Sequence, residues 1–292
     1  MNFFVKILGL AVFLSGVAQA KSIEVQGHRG ARAMRPENTL PAFQYALEQG
    51  VDTLELDLGV TKDNVLVLSH DPLVSPVICV GPDGKAPAGD LAIHSLTLKE
   101  VQAFDCGKLQ NPRFPAQQPI PGTRMPTLDE VFDLVASSPL PAAKTVQFNI
   151  ETKIVPRETD RTPSPEAFAK LLVAAIQKRK LTSRVVIQSF DHRSLVAAKK
   201  IDPKQRIALL VGDSLPDWPA LIKATKAEII SPNLNWITPA TVAAAHKAGA
   251  KVIPWTANTP EEWDYLVASD VDGIISDDPA ALIAYLKVKK LR

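Results

Sequence analysis

The residues best suited to chemistry crowd into one early stretch. Gly27-His28-Arg29-Gly30 is followed by Pro36-Glu37-Asn38-Thr39, then by Glu55-Leu56-Asp57, Thr61-Lys62-Asp63 and His70-Asp71. Glu55 and Asp57 lie in the alternating run Thr53-Leu54-Glu55-Leu56-Asp57-Leu58, bounded by Gly50 and Gly59. In a strand, residues two apart share a face, so both carboxylates point one way while Leu54, Leu56 and Leu58 point the other. Such a pair repels itself unless a proton or a cation lies between its members. A hard divalent ion bound through oxygen meets that need. His28 follows Ile23-Glu24-Val25-Gln26 and His70 follows Val65-Leu66-Val67-Leu68, so both imidazoles are expected at strand exits. Imidazole can give or take a proton near neutral pH. A lone histidine there would read as an ordinary loop residue. Two of them beside a carboxylate pair read as a site for a metal and a phosphate.

In this order and spacing, His-Arg-Gly, Pro-Glu-Asn-Thr with Ala42-Phe43, Glu-x-Asp, Thr-Lys-Asp and His-Asp resemble the glycerophosphodiester phosphodiesterases. The resemblance implies one Ca2+ or Mg2+ ion held by Glu55, Asp57 and Glu151, with His28 and His70 as the acid–base pair. It implies a small-molecule substrate such as glycerophosphocholine or glycerophosphoethanolamine, cleaved to glycerol 3-phosphate and an alcohol. In that family the neighbouring glycerol hydroxyl can be the attacking oxygen, forming a cyclic phosphate first.

A phosphodiester carries a negative charge that grows in the transition state, which gives Arg29 and Lys153 an electrostatic task beside the metal. Glu151 and Lys153 repeat the spacing of Glu55 and Asp57, so both can face the same mouth. Gln188-Ser189-Phe190 and Trp255-Thr256-Ala257-Asn258 resemble later motifs of the family. Gln188, Phe190 and Trp255 are therefore candidates for the pocket of the alcohol moiety, although strand-end aromatics serve packing equally well. Gly273 to Pro279, with Ser276-Asp277-Asp278, resembles the closing motif; Ser276 or Asp277 would also cap the last helix. Asn38 or Thr39 is expected to cap the helix that holds Pro41 in its first turn. His94, His192 and His246 carry no partner pattern and read as surface or packing residues.

These residues need a frame that brings strand ends together. Short apolar runs alternate with helical patterns from Phe148 to the end: strands are expected at 148–151, 185–188, 207–211, 228–230, 251–255 and 273–275. With 23–27 and 53–58 they make eight. Strand–helix alternation argues a parallel sheet, and eight units in a chain of this length argue a (β/α)8 TIM barrel. In such a barrel the site lies at the carboxyl ends of the strands, where His28, Glu55, Asp57, Glu151 and Lys153 all fall.

Residues 72–125 break the alternation. They are rich in Pro and Gly, contain the turn signal Gly81-Pro82-Asp83-Gly84, and hold both cysteines, Cys79 and Cys106. They read as an insertion after the second strand, lying over the barrel mouth. Pro156 to Pro163 is a second irregular stretch, either a further loop over the site or a solvated connector.

Residues 1–20 have the shape of a cleaved secretory signal peptide: Lys6, an uncharged run from Ile7, and Ala18-Gln19-Ala20 before the cut. The expected address is the periplasm or beyond, and residues 21–292 form the single expected phosphodiesterase domain. In an oxidising compartment the two cysteines are expected to form a disulfide. Losing Lys6 takes the formal charge from +2 to +1, and a near-neutral chain offers no electrostatic case for nucleic acid or an anionic membrane. No other run is long enough to insert stably in a bilayer. Two rival functions stay open: a lysophospholipase D-like phosphodiesterase, and an exported binding protein that keeps the barrel without turnover.

Overall fold

The computed structural model describes residues 22–292, and the expected signal segment lies outside them. In chain order the elements are β1 (Glu24–Gly27), α1 (Leu40–Gln49), β2 (Thr53–Val60), β3 (Leu66–Leu68), α2 (Leu98–Val101), α3 (Leu128–Ser137), β4 (Gln147–Thr152) and α4 (Pro165–Lys178). There follow β5 (Val185–Ser189), α5 (His192–Ile201), β6 (Arg206–Val211), α6 (Trp218–Thr225), β7 (Ile229–Pro232), α7 (Pro239–Lys247), β8 (Lys251–Val252), α8 (Pro260–Ala268), β9 (Gly273–Ser276) and α9 (Pro279–Val288).

Eight strands run parallel in the order β8-β7-β6-β5-β4-β2-β1-β9. The ends meet through backbone bonds from Asp272 N to Val252 O (2.9 Å), Ile275 N to Pro254 O (3.0 Å) and Ala257 N to Ile275 O (3.1 Å). The result is the expected (β/α)8 barrel. The strand expected over 251–255 is cut to two residues, because Pro254 has no N–H to give the ladder.

Alternation sorts the side chains. Leu54, Leu56, Leu58, Phe148, Ile150, Val185, Ile187, Ile207 and Leu209 face outward into one continuous core beneath the helices. The residues between them face the barrel interior, which is divided. Val186, Ala208, Ile229, Ile253 and Ile275 fill one side with aliphatic groups. The other side, from β1, β2, β4 and β5, carries Gln26, Thr53, Glu55, Asp57, Asn149, Glu151 and Gln188, all buried.

Helix starts are set by a repeated device. Thr39, Ser164, Asp217, Thr238, Thr259 and Asp278 each accept a backbone N–H from the first turn, and each of these helices has Pro in its first two positions. Thr39, not Asn38, caps α1, and Asp278, not Ser276 or Asp277, caps α9. Asn38 and Asp277 are thereby left for the site.

The departure from the barrel begins earlier than residue 72. β2 runs on to Val60 and turns back through Thr61-Lys62-Asp63-Asn64 into β3, which pairs with β2 antiparallel. Thr61 Oγ1 donates to Asp63 Oδ1 at 2.6 Å and Asn64 adopts the left-handed conformation (φ 60°), so this motif builds a hairpin turn. His70 therefore arrives from a strand running back toward the barrel mouth, not from the exit of a barrel strand. The rest of the insertion has its own small core of Val67, Val74, Cys79, Ile93, Val101, Cys106 and Met125. Cys79 and Cys106 are bridged, S–S 2.09 Å. The loop at 156–163 is clasped to the insertion where Arg161 Nη2 meets Asp90 Oδ2 at 2.8 Å. Among the described residues no helix is long and apolar enough to cross a membrane.

Candidate active site

Strand register places the acids. Thr53 to Leu58 pair with Gln147 to Thr152 one for one, so Asp57 lies opposite Glu151 and Glu55 opposite Asn149. Oxygens of Glu55, Asp57 and Glu151 all lie within 4.8 Å of one another, and all three residues are buried. Lys153 Nζ is 2.9 Å from Glu151 Oε1 and 3.5 Å from Asp57 Oδ1. Asp57 Oδ1 is buried without a hydrogen-bond donor. Three buried carboxylates with an uncommitted oxygen form a donor set that suits a hard divalent cation.

The turn after β1 is drawn in tightly against this cluster. A Cβ on Gly27 would stand 2.2 Å from the Gly30 carbonyl oxygen. Gly30 has φ +85°, and a Cβ there would be 2.7 Å from the Ala42 backbone, so only glycine fits. The close turn lets Arg29 N donate to Glu55 Oε2 at 2.8 Å. The Arg29 guanidinium spans Glu37 Oε1 (2.7 Å) and Asp57 Oδ2 (3.2 Å). Asn38 Nδ2 donates to Asp57 Oδ2 at 2.9 Å, and Asp57 N donates back to Asn38 Oδ1. Pro36-Glu37-Asn38-Thr39 is thus a brace for two charged groups followed by a helix cap.

A polar ladder holds Glu55 from below. Gln188 Nε2 donates to Glu55 Oε1 at 2.7 Å, Asn149 Nδ2 donates to Gln188 Oε1 and Gln26 Oε1, and Gln26 Nε2 donates to Glu24 Oε1. Glu55 and Glu151 still repel their neighbours. Burial, together with Asp57 and Glu151, raises Glu55 well above the usual carboxylate range. Burial, with Asp57 adding to it, pushes Glu151 up to about 8 against the pull of Lys153. Asp57 goes the other way: burial disfavours its charge, but Lys153 and Arg29 more than offset that and hold it well below.

His28 is oriented from behind. Its Nδ1 donates to Asp277 Oδ1 at 2.5 Å, while its Nε2 lies 3.9 Å from Glu55 Oε2. Asp277 also accepts from Arg32 Nε (2.5 Å) and Asn258 Nδ2 (2.9 Å), and its own N–H donates to Asn258 Oδ1. Burial lowers His28 to about 4, although Asp277 works in the opposite direction. The imidazole is neutral at pH 7, with a bare Nε2 facing the acids. His70 is more open, and its Nδ1 is 2.7 Å from Asp71 Oδ1. Ser69 N donates to Asp57 O at 3.1 Å, which fixes the approach of His70 to the mouth.

A cavity of about 200 Å3 joins these groups, lined by His28, Arg29, Arg32, Glu55, His70, Arg113, Glu151, Lys153, Gln188, Phe190, Leu210, Trp255, Thr256 and Ile275. Every site residue expected from the sequence lines it except Asp57, which lies within the carboxylate cluster. Phe190 and Trp255 meet edge to face with centroids 5.5 Å apart, forming one wall. Trp255 is also anchored by its indole N–H on Ser231 O. Asp277, Asn38, Arg32 and Arg113 complete the site beyond those expectations. His94, His192 and His246 bond to Val60 O, Leu210 O and Asp272 Oδ2, and none of the three lines the cavity. A larger groove of about 740 Å3 between α6 and α7 lies at the opposite end of the strands and holds none of these groups.

Barrel, acidic cluster and oriented imidazole together define a phosphodiesterase-like (β/α)8 protein. Residues 28–281 match the profile of the glycerophosphoryl diester phosphodiesterase family, and the chain belongs to that family. It is 34% identical to a glycerophosphodiester phosphodiesterase of Caldanaerobacter subterraneus over 89% of this chain and 96% of that one. A crystal structure from Silicibacter pomeroyi matches with a TM-score of 0.86 at 27% identity, covering 92% and 95% of the two chains. An Oleispira antarctica phosphodiesterase, solved in complex with the product sn-glycerol-3-phosphate, matches with a TM-score of 0.74 over 91% and 97%. At 21% identity that second structure speaks for the fold.

Proposed function

We propose that this protein hydrolyses glycerophosphodiesters, such as glycerophosphocholine and glycerophosphoethanolamine, to glycerol 3-phosphate and an alcohol, with a divalent cation in the carboxylate cluster. The observation that carries the reading is the conjunction, in a member of this family, of three buried carboxylates with an imidazole held by Asp277. Glu55, Asp57 and Glu151 would hold the Ca2+ or Mg2+ ion. Once bound, the ion supplies positive charge for the phosphate oxygens and relieves the repulsion among the acids. Arg29 and Lys153 add fixed charge beside it.

The two histidines divide the proton transfers. With Nδ1–H committed to Asp277, His28 offers the lone pair of Nε2 and takes the proton of the attacking oxygen. Its neutral state supports that role. His70, more open and lining the same cavity, gives a proton to the leaving alkoxide. Phe190 and Trp255 shape the wall against the organic part of the substrate, and Gln188 holds Glu55 in place. The proposed location is the periplasm or the cell exterior. Residues 1–20 read as a signal segment, and the Cys79–Cys106 bridge suits an oxidising compartment.

The test is release of glycerol 3-phosphate from glycerophosphocholine, before and after exhaustive chelation and after return of Ca2+ or Mg2+. Turnover that vanishes with chelator and returns with either ion is the expected result. Full activity after chelation removes the metal from the scheme. A lysophospholipid in a parallel assay separates the lysophospholipase D reading, for which a mouse relative with that name, 27% identical over 89% of this chain, is a precedent. The cavity's lining is chiefly charged and polar, which favours a small head group over an acyl chain. Binding of glycerophosphodiesters without turnover of any of them would make the chain a binding protein.

A further inference from the structure

Beside the cavity just described lies a second hollow, of about 390 Å3, on the insertion side of His70. The two share four lining residues: Arg29, Arg32, His70 and Arg113. A phosphodiester has two ester arms. Phe190 and Trp255 line the first cavity and not this hollow, which joins it beside the imidazole proposed to protonate the leaving oxygen.

Three of the shared residues are guanidinium groups, and two of these are already paired. Arg29 is held by Glu37 and Asp57, and Arg32 by Asp277. Arg113 is exposed, and among the described residues no carboxylate lies within ion-pair distance of it. Its position is nevertheless built. Asn111 Oδ1 accepts Arg113 N at 3.1 Å, and Asn111 N is bound in turn by Gln117 Oε1. Buried Gln117 donates through Nε2 to Arg32 O (2.6 Å) and Arg35 O (3.2 Å), so the turn is pinned to the loop after β1. The Phe114 ring lies under both guanidinium groups, 4.9 Å from Arg32 and 5.8 Å from Arg113. An uncompensated cation is thus carried by a turn that is tied to the catalytic loop, at the junction of two cavities.

We propose that Arg113 and the hollow beside His70, rather than the wall of Phe190 and Trp255 expected from the sequence, receive the alcohol arm of the substrate and select arms that carry a further anion, such as a second phosphate. This rests on the phosphodiesterase reading above. The rest of the hollow fits a hydrophilic arm: Ser69, Ser75 and Asn111 line it with neutral polar groups, its two carboxylates, Glu37 and Asp71, are engaged by Arg29 and His70, and only Val77, Ile78 and Pro112 are apolar. A guanidinium free of carboxylate partners can bind both oxygens of a phosphate.

The metal-loaded enzyme is to be compared on two substrates that differ by one glycerophosphate unit: glycerophosphoglycerol, with an uncharged arm, and bis(glycerophospho)glycerol, whose arm carries a second phosphodiester. The wild-type ratio of kcat/KM is expected to favour the second by about tenfold, the scale of one accessible charge-assisted contact. Arg113→Ala should bring the ratio close to one, with the loss entering through KM. Arg113→Lys should retain part of the preference, and Arg113→Glu should invert it. Raising the salt should shrink the wild-type preference and leave the Ala variant's ratio unmoved. A ratio unchanged in Arg113→Ala, or equal losses on both substrates, overturns the proposal and leaves the phosphodiesterase reading intact. No turnover of either substrate, or of glycerophosphocholine, by the wild type overturns both.

Discussion

The mouth of the barrel and the insertion that covers it are built on opposite principles. At the mouth each charged group is fixed several times over. Asp57 meets Asn38, Arg29 and Lys153; Asp277 meets His28, Arg32 and Asn258. Asp57 is placed by strand register, its partners and Asp277 stand on short loops just past strand ends, and the surroundings are buried. The insertion instead rests on short elements, one disulfide and a core of seven buried residues. It meets the mouth through β3 and His94 against β2, Ser69 on Asp57, and Gln117, Gln118 and Phe114 against the loop after β1. Reaction chemistry needs sub-ångström placement, and all its groups stand on the rigid half except His70, which β3 brings in and the Ser69–Asp57 bond ties to the mouth. Choice among substrates tolerates looser placement and can be assigned to the other.

If that division holds, the largest effects come from the mouth. His28→Ala and His70→Ala should each lower kcat by about a hundredfold or more, since loss of a general acid or base commonly costs 10²–10⁴-fold. They should differ in their response to the leaving group. A substrate with a low-pKa phenol needs little protonation, so His70→Ala should recover much of its rate on it and His28→Ala should not. Identical responses of the two variants would dissolve the assignment of base to His28 and acid to His70.

A smaller effect is expected one step back from the reacting atoms. Asp277→Asn keeps the shape but replaces the carboxylate that holds Nδ1–H of His28 with a neutral amide, which can turn either its oxygen or its nitrogen toward the ring. About a ten- to hundredfold loss in kcat is expected, with KM within about threefold, because an orienting partner acts on the reaction step. The folded protein should also lose a buried pairing with Arg32, visible as a lower melting temperature. A kcat within twofold of wild type would show that the His28–Asp277 contact is structural only.

How far the sequence discloses this division differs between the two regions for a physical reason. Glu55, Asp57, Glu151 and Lys153 are legible because a strand has a period of two, and the spacing alone puts them on one face. The barrel is legible because its helices start at cap-and-proline signals and its strands are apolar runs between them. Asp277 is not, since Ser276-Asp277-Asp278 stands before a helix and each of the three could cap it. Only the structure shows Asp278 taking Ala281 N and Asp277 reaching His28, 249 residues away in sequence. Asn38 is hidden in the same way by Thr39. β3 is a run of three strand residues whose direction no pattern reveals, although Asp63 and Asn64 carry the turn chemistry that reverses it. Arg113 sits among prolines in irregular chain, where no periodicity assigns a side chain to a face.

The smallest effect on turnover should come from opening the insertion's bridge, which makes the sharpest test of its independence. Cys79 and Cys106 are 27 residues apart, and a closed loop of that size contributes about 3.5 kcal/mol in the chain-entropy account. That contribution falls on the insertion, because both sulfurs belong to its separate core and neither joins the core beneath the barrel helices. The native protein should therefore show no thiol to alkylating reagents and two after reduction. Reduced protein should keep its far-ultraviolet circular dichroism and retain kcat on glycerophosphocholine within about threefold, while protease cleavage within residues 72–125 quickens. Hydrogens bonded across the bridged segment, such as Val80 N to Asp105 O and Asp105 N to Val80 O, should exchange faster, while those of the β2–β4 ladder keep their protection. Two titratable thiols before reduction would remove the bridge. Loss of the barrel's signal together with the insertion's would mean that the two regions unfold as one, and that the looser cover is part of what holds the mouth rigid.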